Sequence, residues 1–137
     1  MPPAMYVRKP WGHEEMLFWG EYVVKLLHIR AGHRLSLQYH IEKTETLMVH
    51  RGIALIYLDG ESRIYRAGEV IHVPAGVEHR IAAGGHGDVD IFEVSTPQLD
   101  DVVRLSDDYG RTSAPTPEGT FEPAMPALLG QLARRPA

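Results

Sequence analysis

The sequence contains no cysteine. That absence excludes disulfides and any thiolate metal site. Basic residues are not in excess: fourteen Lys and Arg stand against eighteen Asp and Glu, for a formal net charge of −4. A nucleic-acid or anionic-membrane partner requires a basic face, so neither is expected. No stretch approaches the roughly 20 apolar residues of a membrane span. The opening Met1-Pro2-Pro3-Ala4-Met5-Tyr6 lacks the apolar run of a secretory leader. The expectation is a cytoplasmic protein. Helical periodicity alternating with strands is also lacking, which argues against a parallel α/β sheet.

What remains is a chain of 137 residues, enough for one domain with a substantial core. Its centre is a series of short strand-like runs. Tyr22 to Arg30 is rich in β-branched residues and ends at Ala31-Gly32. From Arg34 to Ile41, Leu35, Leu37 and Tyr39 alternate with Ser36, Gln38 and His40. Glu45 to His50 and Ile53 to Leu58 follow. Asp59-Gly60 then marks a hairpin, since both residue types tolerate positive φ. Further runs are Ser62–Tyr65, Val70–Val73, His79–Ala82 and Val89–Val94. Such spacing predicts an all-β sandwich or small antiparallel barrel. Residues 1–111 form that domain, with 1–21 as an extended N-terminal arm. Residues 112–137, with five prolines, form a Pro/Ala-rich tail and a candidate short helix near 126–135.

Four side chains in this pattern suit a metal ion. Gln38 and His40 lie two apart on a strand and share a face. Glu45 begins the next strand after a short turn, where it would oppose His40 across the pair. His79 arrives from another hairpin, just past Pro74-Ala75-Gly76. Two imidazoles, a carboxylate and an amide oxygen suit zinc, iron, manganese, cobalt or nickel better than calcium, which prefers all-oxygen cages. Zinc is the first choice. Gln38 is the softest member, with hydrogen bonding to a ligand as its alternative role. His28, His33 and His50 fall on the opposite strand face, His13 and His86 fall in loops, and His72 is left open. Lys25 shares a face with Val23, Leu27 and Ile29, where a lysine needs a partner. Trp11, Tyr22 and Tyr39 read first as core anchors and second as part of a ligand-binding wall.

The blocks Gly32–Gly52 and Gly68–His79 resemble the paired motifs of the cupin superfamily, a small antiparallel jelly-roll barrel. Gln38-Tyr39-His40 stands where His-x-His is usual, and Ala83 stands where Asn is usual. A more specific resemblance covers most of Lys9 to Arg111. It is carried by Lys9-Pro10-Trp11-Gly12, Leu35-Ser36-Leu37-Gln38-Tyr39-His40, Glu45, Pro74-Ala75-Gly76, His79-Arg80, Glu93-Val94 and Asp108-Tyr109-Gly110-Arg111. These are similar to the cupin module of type II mannose-6-phosphate isomerases. The family commonly has His-Trp after the glutamate and Arg two before it; here Thr46-Leu47 and Lys43 occupy those places.

The resemblance implies a metal-dependent aldose–ketose isomerase acting on a sugar phosphate, with one divalent ion held by Gln38, His40, Glu45 and His79. Lys25 and Arg104 stand as the catalytic candidates. Arg80 and Lys43 stand as substrate contacts, and Arg80 and Arg104 both suit a phosphate. Two other readings compete: a non-catalytic sugar-binding cupin, and a cupin oxygenase using a two-His, one-carboxylate iron site. A homodimer is expected, since an open sandwich leaves edge strands that need cover.

Overall fold

A computed structural model describes residues 5–111. The candidate helix near 126–135 and the rest of the Pro-rich tail lie outside the described residues. Among the described residues there are eleven strands, β1 (Met5–Lys9), β2 (Gly12–Trp19), β3 (Val23–Ile29), β4 (Leu37–Tyr39), β5 (Glu45–Arg51), β6 (Ile53–Leu58), β7 (Glu61–Arg66), β8 (Val70–Val73), β9 (His79–Ala83), β10 (Val89–Ser95) and β11 (Val103–Ser106). They form two antiparallel sheets, ordered β1-β2-β3-β10-β5-β8 and β11-β4-β9-β6-β7. The all-β jelly-roll expectation is met. No helix among the described residues is long and apolar enough to cross a membrane.

The two sheets enclose one core. The first contributes Leu27, Ile29, Leu47, Val49, Ile71, Val73, Val89 and Ile91; the second contributes Ala54, Ile56, Ile81 and Ala83. Trp11, Leu35 and Tyr109 belong to the same buried cluster. Period-two alternation explains the assignment: along β10, Val89, Ile91, Glu93 and Ser95 are buried while Asp90, Phe92 and Val94 are not. The Asp59-Gly60 turn joins β6 to β7 as its residue types predict, with φ of 47° and 90°.

From Met5 to Trp19 the N-terminal arm is the β1–β2 hairpin, whose second strand pairs with β3 from Gly12↔Ile29 to Trp19↔Val23. Its turn needs Gly12: φ is +155°, and a Cβ there would stand 1.9 Å from the His28 carbonyl oxygen. The run Arg34–Ile41 is a strand only over Leu37–Tyr39, with Arg34 making an isolated bridge to Ala82.

Candidate metal centre

His40, Glu45 and His79 converge. Their ligand atoms lie within 4.8 Å of one another, and all three residues are buried. Glu45 Oε1 is 3.3 Å from His40 Nε2 and 3.1 Å from His79 Nε2. His40 and Glu45 do not oppose each other across a strand pair, as the sequence suggested. His40 follows β4 and His79 opens β9, both in the second sheet, whereas Glu45 opens β5 in the first. The centre therefore lies between the sheets.

Local structure fixes both rings. His40 Nδ1 lies 2.6 Å from the Asp101 carbonyl oxygen, and His79 Nδ1 lies 2.9 Å from that of Val77. A carbonyl only accepts, so each Nδ1 carries a hydrogen and each ring turns its Nε2 toward Glu45 Oε1. Asp101 also accepts the backbone N–H groups of Ile41, Glu42 and Lys43 at 2.9, 2.6 and 2.8 Å. These bonds, that of Glu42 foremost, hold the Asp101 carboxyl below its ordinary range. They also fix the turn that carries His40 to Glu45.

Two inward nitrogens and a carboxylate oxygen thus point at one place. His79 Nε2 is buried without a hydrogen-bond partner, while Glu45 Oε2 faces the Lys43 ammonium at 3.3 Å; a cation at the centre would satisfy the imidazole nitrogen. A divalent ion fits this donor set. Burial works to raise the Glu45 pKa, but His40, His79 and the charge of Lys43 hold it well below the usual carboxylate range. Gln38 sits directly opposite His79 in the β4–β9 ladder. Its Oε1 accepts a hydrogen bond from Ser36 Oγ at 2.7 Å, so that oxygen is already engaged.

A cavity of about 270 Å³ opens beside the triad. Its lining includes Gln38, His40, Lys25, Lys43, Arg104, Arg111, Lys9, Glu14, Glu93 and Asp101. Lys25 has the partner its position demanded: Nζ is 3.0 Å from Glu14 Oε1. Glu14 lies 3.5 Å from Lys9 as well. Burial opposes the Glu14 charge, yet the two ammonium groups outweigh it and lower the pKa. Lys43 is buried, 3.3 Å from Glu45 Oε2 and 3.2 Å from Glu93 Oε2. The ammonium is thus committed to two carboxylates. Burial pulls the Lys43 pKa down, but Glu93 and Glu45 together raise it. The Glu93 carboxyl is pushed up to about 7, by burial first and by Glu45 second. Arg104 stands opposite Gln38 across the β11–β4 ladder.

Arg80 is not part of this site. It alternates with His79 and Ile81, so it turns to the outer face of the second sheet. There it donates to the Leu35 and Ser106 carbonyls at 2.9 and 3.1 Å and lines a separate pocket with Arg34, Leu55 and Tyr57. The substrate role expected for Arg80 is therefore corrected: adjacent residues on a strand cannot both face inward. His72 is exposed and pairs with Thr46 on the outer face. Trp11 is core, whereas Tyr22 is half exposed and stacks on Phe18. Sequence reasoning missed Glu14 and Asp101. Glu14 had one readable signal, the unmatched Lys25; Asp101 falls in the run Asp101-Val102-Val103-Arg104 that shares in the family resemblance, but its action on a turn sixty residues away was not readable from it.

A family model described as the mannose-6-phosphate isomerase C-terminal domain matches residues 4–107. The chain belongs to this family. Among its relatives, a mannose-1-phosphate guanylyltransferase of Salmonella montevideo is 34% identical over 109 residues, covering 77% of this chain and 23% of the relative. The alginate biosynthesis protein AlgA of Pseudomonas aeruginosa is 33% identical over 113 residues, covering 80% and 24%. The chain thus spans about a quarter of the length of these relatives. Solved structures agree on a cupin fold. KdgF from Halomonas sp. superposes with a TM-score of 0.65 at 16% identity, covering 70% of this chain and 88% of that one. A cupin-superfamily sugar phosphate isomerase from Silicibacter pomeroyi superposes with 0.62 at 21% identity, covering 70% and 66%.

Proposed function

We propose that this chain is a metal-dependent sugar-phosphate isomerase that interconverts an aldose and a ketose, with mannose 6-phosphate as the first substrate to test. The observation that carries the reading is a buried His-Glu-His triad beside a cavity lined by several cations. Neither feature alone is specific; together they suit a ligand with oxygens at one end and an anion at the other.

His40, Glu45 and His79 would hold the ion, with the Gln38 carboxamide close by on the same wall. A divalent ion, zinc as the first choice, would supply Lewis-acid stabilisation of the oxygens at C1 and C2 as charge builds on them. Lys25, held by Glu14, presents an oriented ammonium to the same cavity. Arg104 lines the same cavity, and a guanidinium matches the geometry of a phosphate, which supports Arg104 as the phosphate contact. Arg111 is already paired with Asp107 through Nε and Nη2 at 3.0 and 3.2 Å, which leaves it the lesser anion contact.

The test is a coupled assay of metal-loaded protein against a panel of hexose and pentose phosphates. Conversion of mannose 6-phosphate to fructose 6-phosphate supports the proposal. Stoichiometric metal without turnover of any member would instead leave a sugar-binding module, and oxygen uptake with iron would point to an oxygenase.

A further inference from the structure

Glu93 is a buried acid without a role in the scheme above. It lies on β10 directly opposite Lys25 on one side and Leu47 on the other. Its neighbours form a row of alternating charge. Lys9 meets Glu14, Glu14 meets Lys25, Lys25 faces Glu93 across the ladder, Glu93 meets Lys43, and Lys43 meets Glu45. The row ends on the carboxylate of the triad.

Within it, Lys43 is shared nearly evenly, at 3.2 Å from Glu93 Oε2 and 3.3 Å from Glu45 Oε2. Glu45 accordingly divides its two oxygens: Oε2 faces the ammonium and Oε1 faces the imidazoles. A lysine whose other carboxylate were missing would turn its whole charge on Glu45, in competition with any cation. We propose that Glu93 is a positioning residue for the metal centre, acting through Lys43 to keep the ammonium shared so that Glu45 Oε1 stays available to a divalent ion. This rests on the metal reading of the triad. Glu93 need not touch substrate or ion to do this.

The inference predicts opposite signs for two neutral substitutions, which a merely structural role would not give. Glu93→Gln removes a negative charge beside the ion and releases Lys43 onto Glu45, so Zn²⁺ affinity falls by about tenfold or more, in the range usual for groups that orient ligands. Lys43→Gln removes the competing cation, so Zn²⁺ affinity rises severalfold. The double variant loses both charges and returns to within about threefold of the parent, a coupling that a double-mutant cycle reads directly.

The measurement is Zn²⁺ competition against a chromophoric chelator at pH 8, with thermal melts to confirm that each variant folds. Weakening by both single variants, or no change in either, overturns the inference. Should Glu93→Gln fail to fold, Lys43→Gln alone decides: tighter binding supports the inference and weaker binding overturns it. If the parent protein binds no Zn²⁺, the metal reading itself fails, an outcome distinct from failure of this inference.

Discussion

Glu45 is asked to serve three neighbours from two oxygens, and its substitutions should show it. Glu45→Gln keeps the shape but gives up the charge that two imidazoles and Lys43 stabilise. We expect Zn²⁺ affinity to fall by more than the roughly 10–100-fold that changes outside the ligand set cost, read by chelator competition. Arg104 should separate from this behaviour. Arg104→Gln removes one charge-assisted contact with an anion, worth about 1.5–3 kcal/mol. KM for a sugar phosphate should therefore rise by roughly 10–100-fold, with Zn²⁺ affinity unchanged. A parallel loss of metal would place Arg104 in the wrong half of the site. These roles were unevenly legible. His40, Glu45 and His79 could be read from spacing because strand parity and two turns fix their directions. Arg80 was misread because it sits next to His79, and charge type outweighed parity in assigning it.

The β1–β2 hairpin is the element with the most to say about the cavity wall. Glu14 on β2 reaches Lys25 on β3 and Lys9 on β1, so the hairpin is held partly by charge. Glu14 has a lowered pKa in the fold. The unfolded chain therefore takes up a proton first as pH falls, and the stabilisation, fully present above about 4.5, is lost as pH drops through the folded value. Glu14→Gln should be less stable than the parent at pH 7 and should lose less stability on acidification below about pH 4.5, as measured by urea midpoints. The turn before β2 is tested by Gly12→Ala, where a methyl group would collide with the His28 carbonyl; a loss of about 3 kcal/mol or more is expected. This hairpin was hidden in the sequence because its inward positions include Glu14 and Met16 rather than a run of aliphatics. Polar residues that face inward only because a partner awaits them defeat a hydrophobic pattern. By contrast β3, β6 and β7 were plain, since aliphatic alternation and Asp59-Gly60 state both strand and turn.

The described residues form two sheets closed over a main core, and the candidate centre joins them: two ligands hang from one sheet and one from the other. An ion bound there would bind the folded chain and not the unfolded one. At about a hundred times Kd it would add about 2.7 kcal/mol, so chelation should lower the melting temperature measurably. The same change should be absent in Glu45→Gln. The overall architecture was readable because many short strands with turn residues between them permit few alternatives. The pairing of strands was less so: His40 and Glu45 are five residues apart yet belong to different sheets, which a local reading of one hairpin could not supply.

The most direct test is equilibrium dialysis of the purified chain against Zn²⁺, beside His79→Ala and Glu45→Gln. One tightly held ion per chain, lost in both variants while they still fold, is the result predicted. A parent protein that binds no ion, or variants that retain it, would contradict a metal centre at His40, Glu45 and His79.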